Sequence, residues 1–172
     1  MIELLRNRRS IRKYTQQPVE ADQLAILKEA VLRSPSSKGI NPWQFIFIDE
    51  KETIEQLKIA KSTGTGPLES APLAVVFCAD ETVNDAWVED CSIAAIILQL
   101  TAHSLGLGSC WIHFHYRMHS EIISSEQFVR ELLGIPENFR VLCAVTVGHP
   151  ARESKGRPFD ELQFEKIKVN RF

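Results

Sequence analysis

The sequence predicts a layered domain of mixed class, α/β or α+β, in which short buried strands alternate with longer helices. Three observations carry that prediction. The chain has 172 residues, 44% of them hydrophobic, which is enough for one real core and favours a single domain over residues 1–172. Four short β-favouring apolar runs are set off from their neighbours by turn residues or helical segments. Between them lie stretches whose apolar residues recur at helical spacing.

In chain order, Ile2, Leu4 and Leu5 open a short helix that runs into the basic stretch "RNRRSIRK". Leu24, Leu27, Ala30 and Val31 then repeat with helical period, with Glu20 or Asp22 as cap and Ser34-Pro35 as stop. "FIFID", Phe45 to Asp49, and "LAVVFCA", Leu73 to Ala79, read as interior strands, with a helix from Glu52 to Lys61 between them. From Asn84 to Leu105 runs a helix that is apolar on nearly every side from Cys91 onward. A helix without a polar face must be surrounded by protein, so a partner subunit is expected to cover part of it. "GLGSCWI" turns into a third strand, "EQFVRELLGIP" is a helix ended by Gly134 and Pro136, and "VLCAVTVGHP" is the last buried strand. The closing "FEKIKVNRF" carries apolar residues expected to dock on something.

Composition narrows the function classes. A net charge of −2 gives no whole-chain attraction for polyanions, so any basic site is local. Cys78, Cys91, Cys110 and Cys143 are widely spaced in apolar runs, the pattern of buried thiols in a reducing compartment. The N-terminal "MIELLRNRRS" interrupts any signal-like apolar stretch with charge, and the run from Cys91 to Ala102 is shorter than the ~20 residues that span a bilayer. A cytoplasmic protein without membrane attachment is the expectation.

Candidate chemistry concentrates in two places. "RSPSSKGINPW", Arg33 to Trp43, is more elaborate than a connector of the usual 4 to 6 residues or so. Arg6, Arg8, Arg9, Arg12 and Lys13 cluster with the hydroxyl of Ser10. Guanidinium forks match phosphate oxygens bidentately, so this cluster suits a phosphate monoester. A solvated basic end or a nucleic-acid contact is compatible with the same stretch, although nucleic acid would call for a wider basic stripe or stacking aromatics. His113 and His115 share a strand face, but no nearby Cys, Asp or Glu completes a tetrahedral metal set. There is no G-x-S-x-G, and "LGLGSC" precedes a strand where a dinucleotide fingerprint would follow one. With no side chain placed as acid, base or nucleophile, the pattern points to a bound cofactor as the agent of chemistry.

Taken in order, "RRSIRKY", "SPSSKGINPWQF", "EDCSIAAIILQLTAHSLGLGSCWI" and "VTVGHP" resemble the FMN-dependent nitroreductase family over almost the full length. The resemblance implies an α+β sandwich-like fold, a mainly antiparallel sheet flanked by helices, in an intertwined homodimer with FMN at the interface. It implies that Arg8, Arg9 and Ser10 hold the phosphate and ribityl end. Arg12 would lie at the pyrimidine side, where its charge offsets the anion that develops on reduction. Pro35, Ser36 and Ser37 would line the flavin, with Gly39 and Asn41 in the same loop, and the backbone at Ile112 and His113 would meet N5. Gly39 stands where many members have asparagine, which leaves a backbone approach in place of a side-chain contact. Lys155 and Arg157 are both available to close the phosphate site, with Arg157 the choice. The implied activity is ping-pong reduction of nitroaromatics, quinones or similar small acceptors by NADH or NADPH, with no catalytic side chain and no metal. A non-catalytic FMN binder on the same fold, or a small nucleic-acid adaptor, is the alternative.

Overall fold

The computed structural model describes residues 1–172. At its centre is a four-stranded, wholly antiparallel sheet of β1 (Trp43–Ile48), β2 (Leu73–Asp80), β3 (Gly108–His113) and β4 (Phe139–Gly148), ordered β1-β2-β4-β3. Five helices accompany it: α1 (Ile2–Asn7), α2 (Ala21–Leu32), α3 (Lys51–Lys58), α4 (Trp87–Ser104) and α5 (Ser125–Leu133).

Strand alternation divides the core between the two faces. Leu73, Val75, Phe77 and Ala79 of β2 pack with Leu27 and Val31 of α2 and with Trp87, Cys91, Ala94 and Leu98 of α4. Ala74, Val76 and Cys78 point the other way, onto Ile54 and Leu57 of α3 and Val129 of α5. Both faces of β2 are thus covered, which is why its sequence reads as an unbroken apolar run. The result is the expected α+β architecture, a sheet with helices on both sides.

Boundaries shift where side chains intervene. The Glu20 N–H donates to Gln23 Oε1 at 3.1 Å, so Glu20, of the two candidates, stands at the start of α2. α4 begins at Trp87, not Asn84, because Asn84 Oδ1 accepts from the Ala86 N–H at 3.2 Å and its amide donates to Asp90 at 2.6 Å. α3 ends at Lys58, three residues short of the expected Lys61.

Apolar surface stays uncovered in two places within one chain. Ile93 and Ile96 of α4 are more than a third exposed, on the helix for which a partner's cover was expected. The C-terminal segment is not docked on its own core: Phe159, Phe164, Ile167, Val169 and Phe172 are all exposed. The four cysteines are free and buried, and no helix is long and apolar enough to cross a membrane.

β3 is the last strand of the sheet, so one of its edges has no neighbouring strand. The Phe114 N–H donates to the Leu142 carbonyl at 3.0 Å, continuing the ladder of β3 with β4. Backbone direction alternates along a strand, so Gly108, Cys110 and Ile112 pair inward and Ser109, Trp111 and His113 turn their amides and carbonyls outward.

Candidate functional site

The first outward position of β3 is taken by the N-terminal segment. Ser10 runs parallel beside Ser109, and the Ile11 N–H donates to the Ser109 carbonyl at 2.9 Å. The two segments lie so close that a Cβ on Gly108 would sit 2.6 Å from Ile11 side-chain carbons, which excludes any other residue there. Tyr14 locks the segment from behind. Its buried phenol donates to the Ile11 carbonyl at 2.6 Å and lies 2.8 Å from the Thr146 hydroxyl, and its N–H donates to Ser70 Oγ at 3.0 Å. Burial pushes the phenol well above the usual tyrosine range, so it remains a neutral donor.

Held this way, the basic residues flank two open cavities. Arg8, Arg9 and Arg157 line one of about 810 Å³, together with Arg6, Gly156 and apolar residues of α1 and the tail. Ser10 and Arg12 line the other, of about 860 Å³, with Tyr14, Ser70 and Arg152. Lys155 lines neither. Arg8, Arg9 and Arg12 have no carboxylate partner, and the nearest acid to Arg157 is the exposed Glu161 at 4.0 Å. Cys110, at the middle of β3, registers the convergence of charge: burial raises its thiol, and Arg12, Arg8 and Lys61 pull it back.

Further along the strand, Ile112 is 1% exposed and its backbone is engaged with β4, so it does not face the open edge. His113 does, and Trp111, which the sequence reading passed over, shares that side. Burial, followed by the charges of Arg117, His115 and Lys61, holds the His113 imidazole below its ordinary value of 6.5. Lys61 Nζ donates to the His113 carbonyl at 2.9 Å. The histidines do not form a set: His115 Nδ1 lies 3.3 Å from Glu126 Oε2, and His119 Nδ1 lies 2.8 Å from the Ile59 carbonyl.

The loop from Ser34 to Pro42 is built firmly but elsewhere. The Ser37 N–H donates to buried Asp90 Oδ1 at 2.8 Å, tying the loop to the first turn of α4. Ser36 Oγ donates to Asn41 Oδ1 at 2.7 Å and accepts from the Asn41 N–H at 2.8 Å. Lys38, Gly39 and Asn41 are all left-handed, at φ of 54°, 66° and 53°, a conformation that costs non-glycine residues about 1 kcal/mol or more and persists only where the surroundings impose it. A Cβ on Gly39 would meet nothing within 4 Å. Trp43 closes the loop, stacked on Phe45 at 4.9 Å with its buried indole nitrogen unpartnered. Pro35, Ser36, Ser37, Gly39 and Asn41 line neither cavity with the arginines, so one chain does not bring the two halves of the predicted site together.

Sequence reasoning missed Tyr14, Trp111 and Lys61. Tyr14 lay within the "RRSIRKY" motif, whereas Lys61 carried no local signal, since only the fold brings it 52 positions along the chain to His113. The donor set fits a phosphate monoester joined to a flat polar ring: unpaired guanidinium groups at one end, then an open strand edge with outward backbone amides.

The profile of the Nitroreductase family matches residues 5–87 and 67–149. The chain is similar to the solved structure of an FMN-dependent nitroreductase from Clostridium difficile, at 43% identity and a TM-score of 0.97, covering 100% of both chains. It is 32% identical to a relative from Archaeoglobus fulgidus, provisionally named an NADH dehydrogenase/NAD(P)H nitroreductase, over 99% of this chain and 96% of the relative. An FMN reductase [NAD(P)H] from Bacillus subtilis is 32% identical over 92% of this chain and 69% of its own length.

Proposed function

The chain belongs to the nitroreductase family, and from that premise we propose that it is an NAD(P)H-dependent FMN oxidoreductase. It acts as a homodimer on small oxidised acceptors such as nitroaromatics and quinones. The carrying observation is the row of arginines without carboxylate partners at one end of an open strand edge.

Arg8, Arg9 and Arg157 hold the phosphate, since they line one cavity, Arg8 and Arg9 without a carboxylate partner and Arg157 with only the exposed Glu161 at 4.0 Å. Ser10 and Arg12 come next along the same segment and face the ribityl and pyrimidine side. The outward backbone at Trp111 and His113 meets the ring edge. FMN, when bound, supplies the two-electron chemistry between the nicotinamide donor and the acceptor. The chain's own part is orientation: Tyr14 and Ser109 fix the arginine segment, and Arg12 keeps positive charge beside the ring. The exposed apolar stripe of α4 and the exposed tail support a second copy packing here, which also supplies the Pro35 to Asn41 loop to the pocket. Donor and acceptor then share one slot in turn, a ping-pong order. Residues 1–172 act as one FMN-binding unit.

Protein purified and offered FMN is expected to show the visible bands of bound flavin, and the long-wavelength band is expected to bleach on adding NADH or NADPH under argon. Colourless protein that refuses FMN overturns the reading. Yellow protein that neither nucleotide bleaches is a flavin binder and overturns the enzymatic part.

A further inference from the structure

The phosphate accounts for the cations at the start of β3, but not for those at its end. Lys61 is half-buried, its ammonium lies against the His113 carbonyl at 2.9 Å, and no carboxylate lies within ion-pair distance. Arg117 is close by. Its guanidinium donates to the Tyr116 carbonyl at 3.0 Å and likewise has no acid partner. Each acts electrostatically on His113, and Arg117 also acts on Lys61. Burial first, and Arg117 second, pull the Lys61 ammonium below its ordinary range. A cation desolvated beside another cation is destabilised until an anion arrives.

That anion is not the flavin phosphate, which the arginines beside α1 and the tail hold at the opposite end of the strand. It is not a protein carboxylate either, because none lies within ion-pair distance of Lys61 or Arg117. The outward carbonyl to which Lys61 is tied belongs to the stretch proposed for the ring edge, which sets the ammonium at that end of the strand.

On the flavin reading above, we infer that Lys61 and Arg117 form an anion-recognising end of the acceptor slot, selecting planar aromatic acceptors that carry a carboxylate over their neutral counterparts. Lys61 is a specificity residue here, and Arg117 reinforces it from the exposed side. The same chemistry would greet a phosphate of the nicotinamide donor. The carboxylate is the smaller anion and matches the single half-buried ammonium on the His113 carbonyl, while Arg117 adds charge from the Tyr116 carbonyl beyond it.

The test uses the FMN-loaded protein and matched probes, 4-nitrobenzoate and 4-nitrobenzamide as acceptors and benzoate and benzamide as non-reducible ligands. Binding of the latter pair is followed by perturbation of the flavin spectrum. Benzoate is expected to bind about tenfold tighter than benzamide, and kcat/KM to favour the nitro acid by a similar ratio. Lys61→Met and Arg117→Met should each lower the acid-to-amide ratio about fivefold, Lys61→Arg should retain most of it, and roughly 0.5 M salt should erode it. FMN content and the melting temperature of each variant show whether the fold is intact.

Equal binding of acid and amide by the loaded protein overturns this inference and leaves the flavin reading standing. So does a Lys61→Met variant whose only change is a higher KM for NADPH relative to NADH, which would assign the site to the donor. Protein that takes up no FMN removes both.

Discussion

Glu126 is a carboxylate almost wholly out of water, and its environment shows how the fold tolerates that. Burial alone would raise its carboxyl. The side chain and charge of Arg140, the Val141 N–H and His115 together outweigh burial and hold it below its ordinary value near 4.5. A carboxylate depressed in the folded state contributes stability that is fully present above the unfolded value and is lost as pH falls through the folded one. The melting temperature should therefore drop as pH falls below about 4.5. Glu126→Gln should flatten that acid limb while costing about 3 kcal/mol at neutral pH, because Arg140 loses its buried partner. Thermal melts of both proteins across the acid range check this, and parallel pH profiles would contradict it.

At the scale of elements, the approach of the tail to α1 is the most constrained contact of the site. A Cβ on Gly156 would overlap the Arg6 carbonyl oxygen, a backbone atom that cannot swing aside. Gly156→Ala should push residues 155–158 off the end of α1 and carry Arg157 away from Arg8 and Arg9. FMN affinity is expected to fall about tenfold, the worth of one charge-assisted phosphate contact, with little change in melting temperature of the flavin-free protein. Fluorescence titration with FMN reads the loss, and unchanged affinity would separate Arg157 from the phosphate. The strands show the reach and limit of pattern reading. "LAVVFCA" and "VLCAVTVGHP" are visible as buried strands because each lies between two covered faces. Nothing in "GLGSCWI" says that it is the edge strand, and that position leaves the outward backbone of Trp111 and His113 without a neighbouring strand.

For the molecule as a whole, the arginine cluster and the Ser36 to Asn41 loop are both well built and do not meet within one chain. The exposed Ile93 and Ile96 of α4, together with Phe164 and Ile167 of the tail, leave apolar surface of the kind that a partner covers. Ile96→Asp is expected to convert a dimer into a monomer and to weaken FMN binding at least about tenfold, since a charge at the centre of an apolar interface has no compensating partner. Analytical ultracentrifugation and FMN titration check the two effects together. A variant that stays dimeric would place the interface elsewhere, and a wild-type monomer that binds FMN fully would dispense with the second copy.

The amino-acid sequence alone determined the periodicities, the turn and cap chemistry, the buried thiols and the ordered motifs that pointed to a phosphorylated cofactor. These are short-range properties, written in residues a few positions apart. Only the tertiary structure decided that β3 ends the sheet, that Ser109 takes the N-terminal segment while Trp111 and His113 face the open edge, and that Lys61 lies against His113. Those outcomes depend on which distant segments pack side by side. No local pattern encodes that choice, because it follows from burying both faces of one sheet at once.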